Sequence, residues 1–263
     1  MQTDVQVQAP NATPATQIQP SDKSHHYCVS LARSADDVLA AQRLRYKVFA
    51  EEQGAYLQSR VQDHDVDHYD AYCEHLIVRE TLSDKVIGTY RILRPEAARR
   101  IGNYYSDNEF FIDRLQHLRP RMVEVGRSCI HQEHRNGAVI TLLWAALAEY
   151  MQRNNYDHLI GCASIGMADG GHNAANVFSQ LDAACMAPIE YRAFPKNRLP
   201  FEHLRTEQVA LVPPLVKGYL RLGAWICGDP AWDPDFNTAD LLILLPMSRM
   251  SSRYARHFIK TAA

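Results

Sequence analysis

Glu124-Val125-Gly126-Arg127-Ser128-Cys129-Ile130-His131, continuing through Gln132-Glu133-His134-Arg135-Asn136-Gly137-Ala138 into the apolar run 139–147, has the pattern of a strand, a turn and a helix. A buried strand carrying a glutamate and an arginine that empties into a helix N-terminus puts a base, a cation and free backbone N–H groups in one place. That set suits acyl or phosphoryl transfer. Strand side chains alternate, so a spacing of three sends Glu124 and Arg127 to opposite faces. A β-bulge at Gly126 would insert one residue and return both to one face. Charges in an apolar strand are costly unless paired or functional, which leaves a structural ion pair as the alternative.

Working outward, residues 1–26 are rich in Gln, Pro, Thr and Ala and are expected to form a disordered tail. A first strand is expected over 27–33. A helix capped by Ser34 and Asp37 follows to about Glu52, where Gly54 stops it. Glu74–Glu80 and Val86–Leu93 form a hairpin around Leu82-Ser83-Asp84-Lys85. Beyond the 96–117 segment, a polar stretch with short helices, and the opening motif, a strand is expected at 158–163 and a helix at 173–181. Strand-like or helical pieces are expected at 209–212, 215–222 and 241–245. Strands and helices mixed in this order predict an α/β fold, a mixed sheet with helices on both faces. One domain is expected over 27–263, with a C-terminal elaboration from about 196.

The chain has 263 residues and a net charge of −2, which argues against general nucleic-acid binding. Its six cysteines include no CxxC pair and are expected to be reduced, as in the cytoplasm. The N-terminus shows no signal-peptide pattern, and no window reaches the roughly 20 apolar residues of a membrane span. A cytoplasmic protein is expected, free or peripheral to the inner membrane. The basic-edged segment 215–225 fits a membrane-surface contact and a packed core helix equally well.

Asp63-x-Asp65-x-Asp67 with Glu74 imitates a calcium loop. His68 stands where the turn needs glycine, and Glu74 opens a strand, so no metal is expected there. His64, His68 and His75, or His131 and His134, fit no zinc spacing and are expected to be surface or supporting histidines. Cys129 is expected to be a buried strand cysteine.

Arg45-x-x-x-Phe49, Asp67-x-x-Asp70, Gly88-Thr89-Tyr90-Arg91 and Glu124-x-x-Arg127, in that order, resemble the acyl-homoserine-lactone-synthase branch of the GNAT acyltransferases. The stretch from Pro213 to Gly223, with Asp233-Pro234-Asp235-Phe236 and Thr238-Ala239-Asp240, resembles the bacterial ornithine lipid N-acyltransferases, often labelled hemolysin-like. The resemblance implies a mostly antiparallel central sheet. It also implies transfer of a 3-hydroxyacyl chain from acyl carrier protein to the α-amine of ornithine.

On that resemblance Glu124 would be the base and Arg127 its catalytic partner, with Arg45, Phe49, Asp67, Asp70 and Arg91 on the acceptor. Asp67 or Asp70 would take the second amine; Arg91 and Arg127 would pair with the acceptor carboxylate or with Glu124. Ser128, Cys129, Ile130, Arg135, Asn136, Gly137 and Ala138 would hold the donor, and a backbone N–H near 128–130 would hold the oxyanion. Ala138 and Ile140 stand where a coenzyme A site has small residues, which favours a carrier-protein thioester as co-substrate and no resident cofactor. Arg94, Arg99, Arg100, Arg119, Arg121 and Arg135 are candidates for steering an acidic carrier protein, or else an ordinary solvated surface. Another acceptor, as in N-acyl amino acid or lactone synthases, is the second reading. A degenerate fold that only binds an acyl group or carrier protein is the third.

Overall fold

A computed structural model describes residues 27–250, so the expectation for the 1–26 tail lies outside the described residues. In chain order the elements are β1 (Tyr27–Leu31), α1 (Ala35–Tyr46), β2 (Glu74–Glu80), β3 (Val86–Leu93), α2 (Pro95–Ile101), α3 (Ser106–Glu109) and β4 (Phe110–Phe111). They continue with β5 (Met122–Ile130), α4 (Ala138–Arg153), β6 (His158–Gly166), α5 (His172–Ser179), β7 (Phe194–Pro195) and α6 (Phe201–Leu204). The last are α7 (Pro214–Leu222), β8 (Trp225–Ile226), β9 (Ala231–Asp233) and β10 (Thr238–Pro246). The main sheet runs β1-β2-β3-β5-β6-β10-β8, with β9 also on β10; a separate two-stranded sheet joins β4 to β7.

Every neighbouring pair in the main sheet is antiparallel except β5 and β6. That parallel pairing covers only Met122–Glu124 against His158–Ile160. From Val125 onward β5 stays with β3, while β6 stays with β10 along its whole length. The sheet therefore opens in its middle, just past Glu124.

Local chemistry explains the elements that frame this opening. Ser34 and Asp37 close a capping box at the start of α1. In α4, Val139, Leu143, Leu147 and Met151 recur every four residues and are all buried, a continuous apolar stripe laid on one sheet face. The same face carries Tyr90, Val123, Val125 and Leu241 and is covered also by α7. The other face carries Leu93, Met122, Ile160, Leu242 and Leu244 under α2 and the segment after it, with α1 packed beside them.

α7 buries Val216, Gly218, Tyr219 and Leu222. A Cβ at Gly218 would stand 1.9 Å from the Trp144 ring, so helix and indole are in direct contact. The apolar positions of 215–222 are thus core positions. Segment 209–212 is not a strand: Val209 and Leu211 are exposed and the chain is held by paired hydrogen bonds between Leu211 and the Asn173 side chain. No described helix is long and apolar enough to cross a membrane.

Candidate active site

Across β3 and β5 the pairing shifts from Thr89↔Cys129 to Arg91↔Gly126, two residues on one strand against three on the other. This is a β-bulge, and Arg127 within it has φ +51°. The extra residue brings Glu124 and Arg127 to the same cavity, of about 260 Å³, which fills the gap between β5 and β6. Its polar end is lined by Arg91, Glu124, Arg127, Asp233 and Asp240. Its other end reaches Tyr90, Leu215 and Tyr219 on the α4 and α7 side. A wider cavity of about 630 Å³ adjoins it, sharing Tyr69, Tyr105, Arg127, Asp233 and Phe236. Arg127 stands in the dividing wall, its guanidinium carbon 4.5 Å from the Phe236 ring centre and 5.1 Å from that of Tyr105.

Glu124 and Arg127 share a cavity, but they are not each other's ion-pair partner. Glu124 accepts from Tyr105 N at 2.6 Å, Ser106 N at 2.7 Å and the Ser106 hydroxyl. Burial raises its carboxyl above the ordinary range, and these hydrogen bonds oppose the rise. A carboxylate has about four lone-pair positions. Three donors leave one for a proton source in the cavity.

Three arginines and three aspartates close a network beside it. Arg45 is fully buried, donating Nε to Asp65 at 2.8 Å and both terminal nitrogens to Asp70 at 2.8 Å. Arg91 donates to Asp67 at 2.6 Å and to Asp70 at 3.3 Å, and Arg127 to Asp65 at 3.1 Å and Asp67 at 3.2 Å. Burial opposes ionisation of Asp67 and Asp70, and the arginines overcome it, holding both carboxyls below the usual range. Asp65 and Asp67, two of the three aspartates that imitated a calcium loop, are therefore arginine ligands. Arg45 and Asp70 lie behind the inner cavity and do not line it; Asp67 lines the outer one, and Phe49 and Arg91 the inner.

A second set of acids has no such balance. Among the described residues Asp233, Asp240 and Glu109 form no ion pair. Asp240 accepts from Thr238 Oγ1 at 2.9 Å, and Asp233 caps the backbone of Asp235 and Phe236. Burial, with the Asp233 charge, pushes Asp240 up to about 6; burial and the charges of Asp233 and Asp240 push Glu109 up to about 7. Arg91 and Arg127 at this end are committed to Asp65, Asp67 and Asp70, which leaves Asp233 and Asp240 without an ion-pair partner.

Of the expected donor residues, Ser128 lines the cavity. Cys129 points away, buried with Leu44 and Val48, and burial raises its thiol. Arg135 is tied to Glu52 and to the Ile130 carbonyl, Asn136 caps Ala138 N at 3.1 Å, and Gly137 takes φ +90° to start α4. Of the six arginines considered for steering, Arg94, Arg119, Arg121 and Arg135 have carboxylate partners. Ligand atoms of His131, Glu133 and His134 lie within 4.8 Å of one another, yet Lys47 Nζ sits 2.9 Å from His131 Nε2, where a cation would be repelled. Sequence reasoning missed Asp65, Tyr105, Ser106, Asp233 and Asp240. For Asp240 a signal existed: an acid heading the apolar run 241–245.

A family model described as acetyltransferase (GNAT) domain matches residues 44–145. The chain is 37% identical over 246 residues to an L-ornithine N(alpha)-acyltransferase of Brucella abortus (strain 2308), covering 88% of each chain. It is 36% identical over 246 residues to an enzyme of the same description from Rhizobium meliloti (strain 1021), covering 87% of this chain and 82% of that one. Among solved structures, an N-acyl amino acid synthase from uncultured soil microbes shares the fold, with a TM-score of 0.50 and 13% identity over 88% of this chain and 99% of its own.

Proposed function

The chain belongs to the L-ornithine N(alpha)-acyltransferase family, and from that premise we propose that it transfers a 3-hydroxyacyl chain from the phosphopantetheine thioester of acyl carrier protein to the α-amine of ornithine, giving lyso-ornithine lipid. The observation that carries this reading is Glu124, a buried carboxylate at the point where β5 and β6 part, facing a cavity in which Asp233 and Asp240 have no ion-pair partner. An α-ammonium is mostly protonated at neutral pH and must lose a proton before it attacks a thioester. Glu124 takes that proton through its free lone-pair position, and burial brings its basicity towards the working range.

The charge balance orients the acceptor. Asp67 and Asp70 are occupied by arginines, so the second amine of ornithine goes to Asp240 and Asp233, while Arg127 or Arg91 pairs with the α-carboxylate. The donor enters from the α4 and α7 side, where Leu215 and Tyr219 supply an apolar wall. No resident cofactor enters the scheme; the pantetheine arm arrives with the donor. Carrier-protein use is supported by Ala138 and Ile140 at the turn, and a Michaelis constant for the carrier protein that rises with salt would mark electrostatic steering. Peripheral contact with the inner membrane follows from a product that is a single-chain lipid, and sedimentation with anionic vesicles measures it.

The test is product mass. Purified protein, 3-hydroxyacyl carrier protein and ornithine are expected to give acylornithine, and Glu124→Gln is expected to reduce turnover about 100- to 10,000-fold. Acylation of other amino acids in preference to ornithine would replace the acceptor, and full turnover by Glu124→Gln would remove the base.

A further inference from the structure

Tyr90 is buried to the last 1% of its surface, and its hydroxyl reaches no partner at full hydrogen-bond geometry, with the Ser128 side chain alone close enough to act on it. A tyrosine hydroxyl normally finds a partner when buried, because leaving a donor unpaired in an apolar setting is destabilising. Ser128, which acts on this hydroxyl, lines the same cavity. Tyr90 lies in β3 between Thr89 and Arg91, the two residues whose partners on β5 are separated by the bulge, so it faces the site where the ladder is broken. It projects to the α4 face, with Val139 and Leu143 in its core cluster, while Glu124 belongs to the opposite end of the cavity.

These placements put a free O–H donor and a base on the two sides of one gap in the sheet. Resting on the acyltransfer reading above, we infer that Tyr90 is a catalytic residue whose hydroxyl donates a hydrogen bond to the thioester carbonyl oxygen as it becomes an oxyanion. The amine nitrogen bonds to the carbonyl carbon and the carbonyl π pair moves onto oxygen, where Tyr90 and the backbone freed by the bulge hold it. Collapse re-forms the C=O bond and breaks the C–S bond, the thiolate leaving with the pair. Of the two protons that separate ammonium from amide, one passes to solvent through Glu124 and one to the thiolate. Tyr90 keeps its own proton throughout, and burial, which raises its pKa, suits it to that part. The Ser128 hydroxyl beside it is free to orient the phenol.

Tyr90→Phe removes the oxygen and nothing else. The expected result is a fall in kcat of about 100-fold or more, with KM for both substrates within about threefold and a melting temperature equal to or above that of the parent. Two donors are compared, one with a plain acyl chain and one with a 3-hydroxyacyl chain, and the same loss is expected on both. A kcat within twofold of the parent overturns the inference. So does a loss confined to the hydroxylated donor, which would make Tyr90 a reader of the chain, or a fall in kcat accompanied by a lower melting temperature, which would make it structural. The parent enzyme is the separate check on the underlying reading. If it acylates an amine other than ornithine, the acceptor assignment fails and Tyr90→Phe is measured on that amine.

Discussion

Ser106 donates both its backbone N–H and its hydroxyl to one oxygen of Glu124, while Tyr105 N–H serves the other. Burial raises the Glu124 carboxyl and these donors pull it back. Ser106→Ala deletes only the hydroxyl, so the carboxyl should rise further, by about one pH unit for a hydrogen bond to a charged group. A base works deprotonated. The acid limb of the kcat/KM profile for the acceptor therefore moves to higher pH, and activity at pH 7 falls more than activity at pH 9. A limb that stays in place would show that another group titrates.

On the proposed reading, Asp240 and its unbalanced neighbours set the acceptor. With ornithine and norvaline, which share a carbon skeleton and differ in the side-chain ammonium, Asp240→Asn is expected to lower kcat/KM for ornithine about 100-fold and to change that for norvaline little. Competition assays read by product mass give the ratio directly. Equal losses on the two amines would place the second amine elsewhere.

The same residue makes stability depend on pH in an unusual sense. Burial raises the folded Asp240 from 3.8 to about 6, so the folded chain binds its proton more tightly than the unfolded one. Its contribution is fully present below about pH 4 and lost as pH rises through 6. Asp240→Asn should then raise the melting temperature at pH 8, by on the order of 2 kcal/mol, or several degrees for a chain of this size. At pH 3.5 the variant and parent should agree. Saturating ornithine should narrow the gap at pH 8, because its ammonium relieves the buried charge. A lower melting temperature for the variant at pH 8 would contradict the assignment.

Much of this was readable from the chain, and the reasons for the rest are physical. β2, β3 and α4 follow from their periods and turns, and the run from Glu124 to Ala138 announced strand, bulge and helix because a glycine separates two charges. Asp65 was legible only as an acid among acids, since spacing alone does not show that Arg45 and Arg127 arrive from distant segments. Ser106 lies in a polar stretch without periodicity, 18 residues before the carboxylate it holds. Asp233 and Asp240 stand in the motifs that carry the resemblance, but their arrival at the cavity depends on β10 lying beside β6, a fact of topology. The strand-like or helical piece expected at 209–212 is neither, because the Leu211 backbone is paired with the Asn173 side chain and with no strand.

Two glycines flank the opening and separate folding from catalysis. Gly161 follows the last residue of β6 that pairs with β5, and a Cβ there would lie 2.3 Å from the carbonyl oxygen of Val125, a backbone atom that cannot turn aside. Gly126 is on the facing strand and lines the cavity, yet a Cβ there meets nothing within 4 Å. Gly161→Ala must force the two strands apart, so it is expected to cost about 1–3 kcal/mol, seen as a lower melting temperature, together with turnover. Gly126→Ala should keep the melting temperature within about two degrees, because its backbone needs no positive φ. Its methyl enters the space where the thioester meets the amine, and the loss should appear as a higher KM. If Gly161→Ala melted like the parent, the strands would be free to separate at little cost, and the opening would be a soft feature of the sheet.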